Sequence, residues 1–111
     1  MYTRGVIVDC GYPFSDSAGR KWRPALVVSS NEHNDSHQWC LLAPITSRIP
    51  PDLKPGQFVI PDWKRLRLDD ASMVEAKIVA VDYGLIRGKR GQFPPRLMRM
   101  IDDLLRSMMS L

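Results

Sequence analysis

Two short apolar runs constrain this chain more than any other part of it, because each is tied at one end to a polar side chain of fixed chemistry. Arg23 enters the β-branched run Ala25 to Val28 through Pro24, and Thr46, Ser47 and Arg48 leave the run Trp39 to Ile45. Composition of that kind reads as strand, and a proline is tolerated at a strand's first position. If both runs are strands, one guanidinium and one hydroxyl stand at the rim of a single small sheet. That pairing suits phosphate chemistry, since the guanidinium fork matches phosphate oxygens and keeps its charge near neutral pH. A surface arginine at a strand start and an ordinary β-branched threonine fit the same pattern, and the residues alone leave both readings open.

The rest of the chain supplies more short strands and one helix. Gly5 to Cys10 reads as a buried strand, and Gly11 to Trp22 as a long loop that delivers Arg23 to the strand Pro24 to Ser29. Asn31 to His37 reads as a polar turn, and Pro44 near the end of the Trp39–Ile45 strand marks an edge or a bulge. Pro55-Gly56 turns into a strand from Gln57 to Ile60, and Trp63 to Leu68 into a short helical turn. Ser72 to Ala76 and Ile78 to Val81 are two short strands or one bent one. Pro94 and Pro95 open a closing helix, where Leu97, Ile101, Leu104, Leu105 and Met108 recur at helical spacing opposite Arg96, Arg99, Asp102, Asp103 and Arg106. These elements make a mainly β domain with a C-terminal helix, bent into a small barrel. Composition does not separate that barrel from an OB-fold.

At 111 residues the chain is a single domain, 1–111, with room for one core but not two. No apolar run approaches a membrane span and no signal-peptide pattern opens the sequence, so the expectation is a cytoplasmic protein with no membrane partner. Sixteen Lys and Arg against twelve Asp and Glu give a formal charge of +4. The cations gather as Arg20, Lys21 and Arg23, as Lys64, Arg65 and Arg67, and as Arg87, Lys89 and Arg90 after the last strand. One such group is commonly a solvated face; three on a small domain point to an anionic partner such as nucleic acid. Cys10 and Cys40 lack a CxxC partner and read as buried free thiols. His33 and His37 lie in the polar turn without a cysteine at ligand spacing, so they read as solvated residues and no metal or other cofactor is expected.

Two segments carry a resemblance beyond these patterns. Gly19-Arg20-Lys21-Trp22-Arg23-Pro24-Ala25-Leu26-Val27-Val28-Ser29 and Pro44-Ile45-Thr46-Ser47 resemble, in order and separation, the motifs of the MazF/PemK toxin endoribonucleases. The likeness extends to Gly5-Val6-Ile7-Val8-Asp9, to Ser72-Met73-Val74 and to the closing helix, nearly the whole chain. It implies an SH3-like barrel that pairs as a homodimer. It also implies a type II toxin, held in check by a cognate antitoxin, that cuts single-stranded RNA to a 2′,3′-cyclic phosphate and a 5′-hydroxyl. In that family's terms Arg23 stabilises charge and takes part in proton transfer, while Thr46 donates to a non-bridging phosphate oxygen. Arg20, Lys21, Ser47 and Arg48 are candidates for holding neighbouring phosphates.

Several members place an arginine and an aspartate shortly after the Ser-x-Val segment, whereas this chain continues Glu75-Ala76-Lys77. Glu75 is then a candidate for the RNA site, either paired to a cation or accepting a proton, although a surface strand residue is the simpler reading. Two alternatives belong to other classes. One is a non-catalytic toxin similar to CcdB that inhibits DNA gyrase, which makes no demand on Arg23 or Thr46. The other is a plain nucleic-acid-binding module.

Overall fold

The computed structural model describes residues 2–12 and 21–111. Among these residues seven strands and two helices follow one another as β1 (Val6–Tyr12), β2 (Lys21–Val27), α1 (Asn31–Ser36), β3 (Trp39–Thr46), β4 (Gln57–Val59), β5 (Met73–Glu75), β6 (Val79–Asp82), β7 (Ile86–Gln92) and α2 (Pro95–Met109). Short 3-10 turns at Trp63–Leu66 and Tyr83–Leu85 precede β5 and β7. Every strand pairing is antiparallel, in the spatial order β4-β5-β3-β2-β1-β7, with β6 added beside β3.

β1, β2 and β3 alternate between two apolar faces, so both sides of the sheet are dry at its centre. Ile7, Leu26, Val28, Ala43 and Ile45 face one way, against Phe93, Leu97 and Ile101 at the start of α2 and Leu66 and Leu68 from the 3-10 turn region. Val6, Val8, Cys10, Ala25, Val27, Cys40 and Leu42 belong to the other face, with Val81 and Ile86. A strand buried on both faces loses the apolar–polar alternation of a half-exposed one, which explains the near-continuous runs in the sequence.

The expected closed SH3-like barrel is not what forms. The mainly β domain and its C-terminal helix are present, but β4 and β7 end the sheet, no ladder joins them, and the sheet stays open. β4 and β5 are three residues each, too short to carry the sheet round to β7. The 3-10 turn lies against β7 instead: a β-carbon built on Gly91 would stand 2.5 Å from the Leu66 carbonyl oxygen.

Three local expectations also change. The polar turn over 31–37 contains a six-residue helix, because the Ser30 hydroxyl caps it by accepting from the His33 N–H at 3.1 Å. Its Asn34 is fully buried, donating from Nδ2 to the Ser29 carbonyl at 3.2 Å, while its own carbonyl accepts from the Tyr83 hydroxyl at 2.5 Å. His33 and His37 are not simply solvated, since their rings stack at 4.3 Å and both meet Trp39 edge-on. β3 is a central strand rather than an edge: β2 flanks one side, while β6 pairs with Trp39 to Leu42 and β5 with Ile45 and Thr46 on the other. Pro44, which has no N–H to give, falls between those last two ladders.

Within the span read as one long loop, Gly11 and Tyr12 pair with Trp22 and Lys21, so β1 and β2 both reach into it. β7 was hidden in the sequence because Ile-Arg-Gly-Lys-Arg-Gly-Gln offers neither alternation nor β-branching after its first residue. α2 starts on Pro95 and ends with Ser110 in the left-handed conformation (φ 57°), its N–H returning to the Arg106 and Ser107 carbonyls. Leu97 and Ile101 are buried, Leu104 and Leu105 pack at the core's margin, and Met100, Met108 and Met109 remain exposed.

Candidate active site

β2 and β3 run antiparallel with Ala25 opposite Pro44 and Leu26 opposite Ala43. Continuing that register two places past Ala25 and Pro44 sets Arg23 across from Thr46, on the same face of the sheet. Both residues line a cleft of about 110 Å³ with Pro24, Ile45, Ser47, Leu68, Asp69, Asp70, Ser72 and Arg90. Thus two residues 23 positions apart in sequence reach one rim through strand pairing.

The Thr46 hydroxyl is oriented by the turn that follows it. Its Oγ1 accepts from the Arg48 N–H at 3.1 Å, which leaves the hydroxyl proton available for a ligand. Arg23 is exposed at the cleft edge and supplies guanidinium donors without needing to be protonated first.

The other anticipated residues divide. Ser47 lines the cleft. Lys21 and Arg48 are exposed beside it, on β2 opposite Tyr12 and just beyond Thr46, without lining it. Arg20 lies outside the described residues. Glu75 does not belong to the cleft: it lines a separate depression with Lys54, Gln57, Lys77 and Met108, and its Oε1 accepts from Gln57 Nε2 at 3.5 Å. β5 lies between them: Ser72, just before its first residue, lines the cleft, and Glu75, its last, lines the other depression.

Asp69 and Asp70 line the cleft with no sequence pattern pointing to them, and Arg90 joins them from the cationic group after Ile86. Ile7 pairs with Gly91 and Asp9 with Arg87, so β7 carries three residues, Gly88 to Arg90, where β1 carries only Val8. A bulge of this kind re-aims a side chain, and Gly88 absorbs it at φ +66°. Arg90 thereby reaches Asp9 Oδ1 from Nε at 3.0 Å, and Asp69 Oδ2 and the Arg67 carbonyl from Nη1 at 3.4 and 3.2 Å. The hydrogen bond to Asp9 pushes the guanidinium above its ordinary value, partly opposed by burial. Ser72 Oγ donates to the Asp70 carbonyl at 2.8 Å, fixing the same segment from its other side. The sequence signals for Arg90 are its place in the cationic group Arg87, Lys89 and Arg90 and the glycines on both sides of Lys89-Arg90.

Cys10 and Cys40 are buried and free, and burial pushes both thiols up to about 11. Among the described residues no three His, Cys, Asp or Glu side chains gather as a metal site would require, and no helix is long and apolar enough to cross a membrane.

Known structures share this arrangement of elements across nearly the whole chain. An endoribonuclease in complex with its cognate antitoxin from a Mycobacterial species superposes with a TM-score of 0.80 at 19% identity, covering 100% of this chain and 97% of that one. A MazE–MazF structure from Deinococcus radiodurans gives 0.79 at 20% identity, covering 99% and 97%. The Mycobacterium tuberculosis toxin MazF-mt6 gives 0.78 at 13% identity, covering 96% and 97%. At such identities the likeness establishes the fold. No curated protein sequence matches the chain significantly. The model of the PemK-like, MazF-like toxins of type II toxin–antitoxin systems matches residues 3–109, almost the full length. The chain belongs to that family, the toxin endoribonucleases that its Arg23-Pro24-Ala25-Leu26-Val27 and Pro44-Ile45-Thr46-Ser47 segments resemble.

Proposed function

We propose that this toxin cuts single-stranded RNA at a short sequence without a metal ion, acting as a single-domain protein in the cytoplasm and as a homodimer. The observation that carries the reading is the meeting of Arg23 and Thr46 at one cleft. RNA brings its own nucleophile, the 2′-hydroxyl. The enzyme must neutralise charge growing on the phosphate, aid proton removal and protonate the departing 5′-oxygen. Arg23 stabilises the phosphate charge and donates to the leaving oxygen, Thr46 donates to a non-bridging oxygen, and Ser47 adds a second hydroxyl nearby. The products are a 2′,3′-cyclic phosphate and a 5′-hydroxyl. Gyrase inhibition by a non-catalytic toxin would leave the pairing of these two residues without a purpose.

Arg20, Lys21 and Arg48 hold flanking phosphates, and two chains together present more such cations to one strand than a single chain does. Met100, Met108, Met109 and Leu111, 44 to 83% exposed, are apolar surface for a second chain. The antitoxin inhibits by laying an acidic segment over the same cations, so association slows as salt rises.

Incubation with a long mixed-sequence RNA in EDTA, followed by mapping of new 5′ ends, tests the reading. Cleavage at one short motif, lost in Arg23→Ala and Thr46→Ala, is the expected result. Intact RNA, or equal cutting by a folded Arg23→Ala variant, overturns it.

A further inference from the structure

The cleft has cationic and hydroxyl donors in place, yet abstraction of the 2′-hydroxyl proton also needs an acceptor. Arg23 and Arg90 cannot serve, because each guanidinium enters the step already protonated and has no lone pair to accept with. His33 and His37 lie on or next to α1, at the opposite end of β2 and β3, roughly 20 Å away at the rise of a strand. Glu75 faces the other depression. Among the described residues, Asp69 and Asp70 are the carboxylates that line the cleft.

These two differ in how they are engaged. Asp69 is held by Arg90 Nη1 at 3.4 Å, and Asp9 by Arg90 Nε at 3.0 Å, so one guanidinium occupies both carboxylates. The Asp70 carboxylate has no ion pair or hydrogen bond among the described residues, while its backbone carbonyl is tied to Ser72 at 2.8 Å. Asp70 therefore combines an anchored main chain, a carboxylate that no other described residue engages and a place in the same cleft as Arg23 and Thr46.

We infer that Asp70 is the general base of the cleavage step, with Arg90 as the residue that positions it by fixing Asp69 beside it. The assignment rests on the ribonuclease reading above. In the step, the Asp70 carboxylate takes the 2′-hydroxyl proton as the O2′–P bond forms and the P–O5′ bond breaks. O5′ leaves with a proton from Arg23, and protonated Asp70 returns a proton to Arg23 through water. Proton balance closes without a cofactor.

Single-turnover cleavage of a short RNA containing the mapped motif tests this, with binding measured separately on an RNA whose scissile 2′-hydroxyl is replaced by 2′-methoxy. Asp70→Asn should cut about 100-fold or more slowly, bind the blocked RNA as tightly as wild type, and lose the carboxylate limb of the pH–rate profile. A substrate with sulfur in place of the bridging O5′, which leaves without an acid, should restore little of that rate. Asp70→Glu should regain part of it, and Asp70→Ser gives a second base-free variant with a different side-chain shape. A wild-type rate in Asp70→Asn overturns the assignment, as does full rescue by the sulfur substrate or a loss matched by equally weakened binding. A changed cleavage motif at undiminished rate makes Asp70 a base-reading residue instead and also overturns it. A wild-type protein that cuts no RNA removes the ribonuclease reading itself, and Asp70's role with it.

Discussion

Arg90 Nε lies 3.0 Å from Asp9 Oδ1, joining β7 to β1 at the point where their pairing is interrupted by a bulge. Both side chains are about one-quarter exposed, at 26 and 25%, so the ion pair is neither fully screened nor fully desolvated. A change here acts on stability and on the cleft together.

Replacing Arg90 by alanine should lower unfolding free energy by about 1–3 kcal/mol, since two carboxylates and the Arg67 carbonyl lose a shared donor. RNA cleavage should fall about 10-fold or more, because the Asp69–Asp70 segment loses its anchor. Arg90→Lys keeps the charge but not the fork, and should recover less than half of the stability. Urea unfolding and single-turnover cleavage on the same preparations check both quantities. Unchanged cleavage in a destabilised Arg90→Ala would confine the residue to folding.

Arg23→Ala and Thr46→Val should each reduce cleavage by at least about 100-fold, the usual size of losing one donor to a transition-state oxyanion. Neither side chain is part of the buried core, so circular dichroism spectra and melting should stay close to wild type. A loss that appears in binding rather than in the single-turnover rate would move either residue from transition-state stabilisation to substrate holding.

Gly91→Ala should destabilise the protein by about 1–3 kcal/mol, the range for forcing extra volume into a packed site. The new methyl would meet the Leu66 carbonyl oxygen, a backbone atom that cannot swing aside like a side-chain tip. Gly84→Ala, where nothing lies within 4 Å of the added carbon, is the matched control. Equal melting temperatures for the two variants would show that the 3-10 turn yields freely.

The thiols give a pH dependence of known sign. Burial pushes Cys10 and Cys40 from 9.0 up to about 11, so the folded state holds their protons where the unfolded chain releases them. Their contribution to stability is intact below pH 9 and declines as pH rises towards 11. Wild type should therefore lose stability faster over that interval than a Cys10→Ala, Cys40→Ala double variant, measured by urea unfolding. Parallel curves would remove the thiols from the alkaline transition.

Much of the candidate site was readable from the chain because Arg23 and Thr46 sit at the ends of well-patterned strands. Arg23 and Thr46 bound runs buried on both faces, and a conventional antiparallel register is enough to bring them together. That Glu75 lies apart from the cleft is not legible in the sequence, because a three-residue strand gives no periodicity from which to tell which neighbour it faces. The place of Arg90 in the cleft was hidden for a different reason: its direction depends on a bulge, and a bulge belongs to a pair of strands rather than to either one. Closure of the sheet was likewise a property of β4 and β7 jointly, and no local pattern in either strand encodes it. The short helix at Asn31–Ser36 did have a local signal, the Ser30 cap, but its polar residues offered no apolar stripe to accompany it.

Pro44 sits between two ladders on one side of β3, with β6 pairing up to Leu42 and β5 beginning at Ile45. The strand is thus fastened in two separate lengths along that side, like a seam sewn with a gap. The short length that carries Thr46 can open without unpicking the longer one, because no backbone bond from Pro44 couples them. Amide exchange at Met73 and Thr46 should then run ahead of exchange at Cys40 and Val81. An RNA strand entering the cleft would meet a rim able to part while the middle of the sheet stays shut.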